Sequence, residues 1–418
     1  MATNTVFSKN FILVVIGRIV SAFGNQILRY ALPLYLLIET GSSALFGSIL
    51  AVSFVPMILL FPVGGIIADR MNKRNIMLVM DLCTGILISA FCILSSAVEI
   101  APLMVITMII LYALDGADRP AVKASIPALV DNQDIMKANS IIDMVDSTAS
   151  MAGPVIGGLL FAAFGLMPIL IISIICFFAS VIMDAFIRIP FEKREIAGSI
   201  LSVGINDLKE SFHFMFKEQP SLSYLSFVFA LSNLLLTSLV LIGLPVIITQ
   251  RLDFMAETAN RLYGFAQGVV ALGAVLGGFL AGILSNKLKP KRGLHLLIGC
   301  SLCVIVVGVA LQLLNTAISI YIILICACGL LLTLHTIFQI QMMSYLQILT
   351  PKDLVGKVIS CFMCLVMCTI PLGQVIYGFA FEHIGNGIYL LFYGVGILMI
   401  VVSILTRKVF TVIAKKIA

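Results

Sequence analysis

The sequence predicts an all-α membrane protein, with twelve transmembrane helices in two pseudo-symmetric six-helix bundles. Three observations predict it. Of 418 residues, 61% are hydrophobic and 11% charged, with a mean hydropathy of +1.15, whereas soluble domains carry roughly 45–50% apolar and about 25% charged residues. Solidly apolar runs, each close to the roughly 20 residues a helix needs to cross hydrocarbon, recur from end to end between short polar interruptions. These runs do not alternate as spanning strands do. Finally, two charged motifs recur about half a chain apart, as an internal duplication predicts.

The first run, 11–38, is too long for a signal peptide and has no small-residue cleavage pattern, so it reads as helix 1 of the mature chain. Helices 2 to 6 follow at 43–68, 75–97, 101–126, 138–163 and 166–188 and complete a predicted N-terminal bundle, 1–188. The segment 189–220 departs from the pattern. It opens with Glu192, Lys193, Arg194 and Glu195, and then Leu201, Ile205, Leu208, Phe212 and Met215 recur at helical spacing opposite Lys209, Glu210 and Lys217. That is the pattern of a linker helix, either amphipathic on the membrane face or solvated. Helices 7 to 12 fall at 221–249, 261–285, 293–313, 317–346, 356–382 and 387–406, within a predicted C-terminal bundle, 221–418.

Of the 26 Lys and Arg residues, Arg18 and Arg29 map within helix 1 and only Arg251 and Arg261 to the face opposite the N-terminus, which leaves 22 on the N-terminal face. The positive-inside rule then puts both termini in the cytoplasm, as an even number of spans requires. The net charge of +6 follows from this topology and calls for no nucleic acid. The ten cysteines lie inside apolar runs and read as small buried hydrophobes. Cys300 and Cys303 form a C-x-x-C pair without the second pair or nearby histidine that a zinc site needs.

The duplicated motifs are specific. Gly65-Ile-Ile-Ala-Asp69-Arg70 followed by Lys73-Arg74, after helix 2, recurs as Gly282-Ile-Leu-Ser-Asn286-Lys287 followed by Lys291-Arg292, after helix 8. Asp131-Asn-Gln-Asp134-Ile135, after helix 4, matches Thr350-Pro-Lys-Asp353-Leu354, after helix 10. The stretch 65–74 resembles the signature loop between helices 2 and 3 of the major facilitator superfamily, with Asn72 where a second glycine is usual. Both residues tolerate a left-handed turn, so the departure from the pattern is mild. Gly153-Pro154-Val-Ile-Gly157-Gly158 in helix 5 looks like the Gly-Pro motif of the drug/proton antiporter branch, although Ala149 replaces one usual glycine. Ala31-Leu-Pro33-Leu and Thr40-Gly41-Ser42 are similar to macrolide-efflux-like and enterobactin-exporter-like members.

The resemblance implies a secondary transporter of the inner membrane that works as a monomer by alternating access. It would export an amphiphilic, drug-like molecule in exchange for protons, among membrane lipids and without a cofactor. In the family, the loop carrying Gly65, Asp69, Arg70, Lys73 and Arg74 latches the two halves, whereas its charges read by themselves also serve to fix topology. Gly153, Pro154, Gly157 and Gly158 allow close backbone approach, either for a partner from the other half or for ordinary tight packing. An enzyme is not expected, since no nucleophile, metal cluster or pair of carboxylates converges in the sequence.

A charge inside a span costs roughly 2.5–3.5 kcal/mol and usually meets a partner or a wet cavity. Arg18, Ser21, Asn25 and Arg29 recur at steps of three, four and four and form a polar stripe on helix 1. Asp81, Asp115, Asp118, Asp143, Asp146 and Asp184 map to the inner half, near Arg18 and Arg119. That mapping leaves Arg29 to Glu39, Glu99 or an entering substrate. Asp115 is the first candidate for a proton-carrying carboxyl, followed by Asp143 and Asp146, with a purely structural balance of Arg18 or Arg119 as the alternative. In the second half the polar groups are Asn233, Thr237, Gln267, His335, Gln339, Gln341 and Gln374. His335 and Gln339 stand one turn apart, facing either the cavity or structural partners. Two Arg residues and Asn25 on helix 1 disfavour a strictly cationic substrate. An endogenous anionic or lipid-like molecule is the alternative cargo.

Overall fold

The computed structural model describes residues 8–131, 134–189, 212–284, 292–351, 354–407 and 410–411, with the side chains of 61–70, 136, 355–357, 360, 364 and 386 outside the description. No strand occurs among the described residues, and twelve helices are long and apolar enough to cross a membrane. They are α1 (Lys9–Thr40), α2 (Ser43–Arg70), α3 (Lys73–Leu94), α4 (Ile100–Leu129), α5 (Ile135–Phe164), α6 (Leu166–Phe186), α7 (Pro220–Arg251), α8 (Ala256–Ile283), α9 (Arg292–Leu313), α10 (Ala317–Leu349), α11 (Val355–His383) and α12 (Ile388–Leu405).

Local chemistry explains several boundaries. Ser8 Oγ accepts the Phe11 N–H and starts α1, and Gly41, at φ +64°, ends it with its N–H on the Leu37 carbonyl. Asn72 is extended (φ −64°, ψ 117°), and its Oδ1 accepts the Arg74 N–H at 3.1 Å. The tolerance of asparagine for a left-handed turn is therefore not used at this position. The asparagine substitutes for glycine as the N-cap of α3, a job glycine performs without a side chain. Helix α8 starts five residues before its predicted 261, because an exposed Glu257–Arg261 pair at i,i+4 supports an extra turn beyond the apolar run.

The chain forms two compact units. One comprises 1–41, 49–197 and 255–268; the other comprises 42–48, 198–254 and 269–418. In the first unit α1 packs on α5 and α6, and α3 on α4 and α6. In the second, α7 packs on α11, and α9 on α10 and α12. Adding six to the helix number carries α1–α5, α3–α6 and α3–α4 onto α7–α11, α9–α12 and α9–α10, so the duplication seen in the motifs is also a duplication of packing. Cys300 and Cys303 are buried in α9, with Cys300 Sγ 3.7 Å from the Leu331 carbonyl of α10, which is a packing role.

Most of the predicted linker helix, 190–211, and the repeat copy at 285–291 lie outside the described residues. Of the linker's apolar positions, Met215 is buried, while Phe212 is exposed and stacked on Phe216 at 5.3 Å. Helix α7 contains two π-helical turns, Asn233–Thr237 and Ile247–Arg251, a form that often marks functional positions.

Candidate functional site

The stripe on α1 meets a matching stripe on α4. Tyr112, Asp115 and Arg119 recur at steps of three and four and share one face of that helix. Arg29 Nη2 lies 2.8 Å from Asp115 Oδ2, and Arg119 Nε lies 2.9 Å from the same oxygen. The Arg29 guanidinium also sits 4.0 Å above the centroid of the Tyr112 ring, a cation–π contact strengthened by exclusion of water. Its Nε is buried without a hydrogen-bond partner.

This arrangement corrects the expected partner of Arg29. Glu39 and Glu99 are exposed, and Asp115 takes the role instead. The helices run antiparallel, so Arg29 lies eleven residues from the end of α1 and Asp115 fifteen from the start of α4. At about 1.5 Å per residue the difference in depth is only about 6 Å, which an arginine side chain spans. Asp115 pairs with Arg119 and Arg29, and not with Arg18.

Arg18 makes a second cluster one level closer to the N-terminal face. Its Nη1 lies 2.9 Å from Asp118 Oδ2 and its Nε 2.8 Å from Asp146 Oδ1. Asp81 and Asp184, from α3 and α6, are buried beside it. Asn25, between the two arginines, has a buried Oδ1 without a partner. Asp143 is exposed and paired at 3.0 Å with the exposed Lys123, away from these clusters.

The signature loop is described in part. Gly65, Asp69 and Arg70 are helical in backbone at the end of α2, but their side chains lie outside the description. Arg74 donates from Nε to the Asp184 carbonyl at 3.1 Å and from Nη2 to the Ala185 carbonyl. It thereby caps the C-terminus of α6, where a cation suits both the orphan carbonyls and the helix dipole. Lys73 opens α3.

On α5, a Cβ placed on Gly153 would come within 2.6 Å of Gln26 Cβ, and one on Gly157 within 3.1 Å of Tyr30. Gly158 faces the first turns of α8, where an added Cβ would lie 2.7 Å from Gly264 Cα. Tyr30 Oη donates to the Asn260 carbonyl at 3.0 Å, and its ring stacks on Tyr263 with centroids 4.9 Å apart. Pro154 lies within the same face, its carbonyl 3.1 Å from a Cβ added to Gly264.

In the second unit, His335 is buried, with Nε2 3.1 Å from Ser232 Oγ, and it stacks on Phe338. Gln339 Nε2 donates to Asn233 Oδ1 at 3.2 Å, and Thr237 Oγ1 donates to the same oxygen at 3.3 Å. Both α10 residues thus face α7, and Gln339 meets the first π-helical turn. Sequence reasoning missed Tyr112, although its spacing of three from Asp115 was available as a signal.

A profile described as Major Facilitator Superfamily matches residues 14–368. The chain belongs to this superfamily and is a multi-pass membrane transporter. Macrolide efflux protein A of Streptococcus pyogenes is 23% identical over 392 residues, covering 92% of this chain and 93% of that protein. The enterobactin exporter of Shigella boydii is 29% identical over 159 residues, 37% of this chain and 38% of that one. A staphyloferrin A transporter of Staphylococcus aureus is 24% identical over 186 residues, 43% of this chain and 44% of that one. Among solved structures, a nucleoside transporter superposes with a TM-score of 0.72 at 13% identity, over 96% of this chain and 99% of that chain. The expected fold is thus borne out.

Proposed function

We propose that the chain exports an amphiphilic, drug-like small molecule across the inner membrane by alternating access, in exchange for protons, with both termini in the cytoplasm. One observation carries the reading. Arg29 and Arg119 share the single carboxylate of Asp115, so this cluster keeps one positive charge in excess inside the span. Arg119 is partly exposed, with 37% of its side chain accessible, and can offer its remaining N–H groups to a cargo. A guanidinium that shares its carboxylate with a second one keeps N–H groups for neutral, zwitterionic or anionic polar groups and offers nothing to a cation. The full-length similarity to a macrolide efflux protein supports export of an amphiphile.

The same excess charge favours a second cargo, an endogenous anionic or lipid-like molecule. The partial similarities to an enterobactin exporter and a staphyloferrin A transporter support that alternative. Energy is sufficient for either. One proton crossing 100 mV releases about 2.3 kcal/mol, so a gradient near 150 mV sustains an accumulation ratio on the order of a few hundred.

Proteoliposomes with an imposed pH gradient test the reading against a panel of labelled amphiphiles. Gradient-driven movement is expected for neutral and anionic members; movement indifferent to the gradient would sink proton exchange and leave a facilitator or flippase. Arg119→Gln is expected to weaken binding of an anionic amphiphile by about tenfold, the equivalent of one charged hydrogen bond of roughly 1.4 kcal/mol. Equilibrium binding at two ionic strengths checks this. The variant should show a shallower salt dependence than the wild type, and an unchanged affinity would remove Arg119 from the site.

A further inference from the structure

Five carboxylates and three guanidinium groups occupy the interior of the first unit. The acids are Asp81 on α3, Asp115 and Asp118 on α4, Asp146 on α5 and Asp184 on α6; the bases are Arg18 and Arg29 on α1 and Arg119 on α4. Arg29 and Arg119 are spent on Asp115, and Arg18 on Asp118 and Asp146. Arg74 stands beside Asp184, where its Nε and Nη2 donate to the Asp184 and Ala185 backbone carbonyls and not to a carboxylate oxygen. Asp81 and Asp184 therefore have no cation within ion-pair distance among the described side chains, although they are 8% and 1% exposed. Asp184 Oδ2 is buried with no hydrogen-bond partner at all.

Two small voids join these groups. One, of about 10 Å³, is lined by Arg18, Ser21, Asp81, Asp118 and Asp184 among others. The other, also about 10 Å³, shares Arg18, Ser21, Asp81 and Asp118 with the first and reaches Asn25 and Asp115. Each has roughly the space of one water molecule and is lined by groups able to hold one. Their shared walls set polar groups in succession from Asp184, at the end of α6, to Asp115.

Fully ionised, these five acids would outnumber the three interior guanidinium groups by two, and the part-exposed Arg74 would offset only one of those charges, in a span where each costs several kcal/mol. Protons on Asp81 and Asp184 remove both unpaired buried charges. Among the described residues, no three carboxylate, thiol or imidazole groups converge closely enough to hold a metal ion, so protons are the fitting ligand.

We propose that Asp81 and Asp184 form a two-proton site, occupied at neutral pH and connected through the paired voids to the Arg29–Asp115 cluster. The proposal rests on the proton-exchange reading and moves the proton-carrying role away from Asp115, which is paired with two guanidinium groups. Each proton arrives from water, forms one carboxyl O–H bond, and returns to water when that bond breaks.

Infrared spectroscopy of the reconstituted protein tests it through the carbonyl stretch of protonated carboxyl groups. At neutral pH the wild type is expected to show a protonated-carboxyl band that Asp184→Asn and Asp81→Asn each reduce by about half and the double variant abolishes, with or without sodium. Asparagine mimics the neutral acid, so both variants should unfold at the wild-type temperature, whereas Asp118→Asn, which strips Arg18 of a partner, should unfold lower. Absence of the band in the wild type, its persistence in the double variant, or its loss on adding sodium would overturn the proposal. Gradient-driven transport measured on the same vesicles separates the two ideas. Transport without the band refutes this site and keeps proton exchange, whereas the band without coupled transport keeps the site and refutes the exchange.

Discussion

Asp115→Asn is expected to be the most damaging single charge change in the chain, costing on the order of 3–5 kcal/mol. The carboxylate side chain is 4% exposed and holds Arg29 and Arg119 at 2.8 and 2.9 Å. Asparagine matches its shape but not its charge, so two guanidinium groups would be left in a span without an anion. Arg29 cannot relieve this by rotating outward, since its side chain is 13% exposed and lies over the Tyr112 ring. Removing one arginine is expected to cost less, because the remaining one still balances Asp115. The checking measurement is a double-mutant cycle on thermal unfolding in detergent. Arg29→Gln added to Asp115→Asn should recover a large part of the loss, with a coupling of roughly 1–3 kcal/mol. A neutral effect of Asp115→Asn alone would show that the arginines find other anions, and the charge count behind the excess cation would fall with it.

The contrast with Asp184 is informative. Both residues are buried aspartates in helices of the same unit, and a sequence offers no way to tell them apart. The difference lies in which cations reach them, and that depends on the depth and rotation of five helices at once.

This contrast also shows what the sequence made legible. The twelve spans, the duplication and the polar stripe on α1 were readable, because hydropathy and periodicity are local properties. Position 72 was readable as a helix junction, though the capping geometry that asparagine adopts was not. The start of α8 was missed because an apolar-run criterion stops short of Glu257, while the helix continues through the pairing of Glu257 with Arg261. The partner of Arg29 was missed because residue depth was assigned by halves of the membrane. An error of one helical turn, about 5.4 Å, is enough to exchange an exposed Glu39 for the buried Asp115. The facing of His335 and Gln339 towards Ser232 and Asn233 depends on packing between α7 and α10, which no single-helix pattern encodes.

The second large effect is expected at Gly158, where packing rather than charge decides. Its Cα faces Gly264, and a Cβ built there would stand 2.7 Å from Gly264 Cα, 3.0 Å from Tyr30 Oη and 3.2 Å from the Asn260 carbonyl. Two of these three neighbours are backbone atoms of α8 and cannot step aside by changing a rotamer. Gly158→Ala should therefore cost about 1–3 kcal/mol as the helices part by several tenths of an ångström. Gly158→Leu requires a larger separation, which would break the Tyr30–Asn260 hydrogen bond and the Tyr30–Tyr263 stacking, and transport should fall to background. Gly278→Leu supplies the control, because a Cβ at Gly278 meets nothing within 4 Å. That change should be neutral, or stabilising by up to about 1 kcal/mol through helix propensity. Thermal unfolding and vesicle transport, measured for all three variants, separate the outcomes. Equal behaviour of the Gly158 and Gly278 variants would show that the α5 glycines serve backbone flexibility and not close approach.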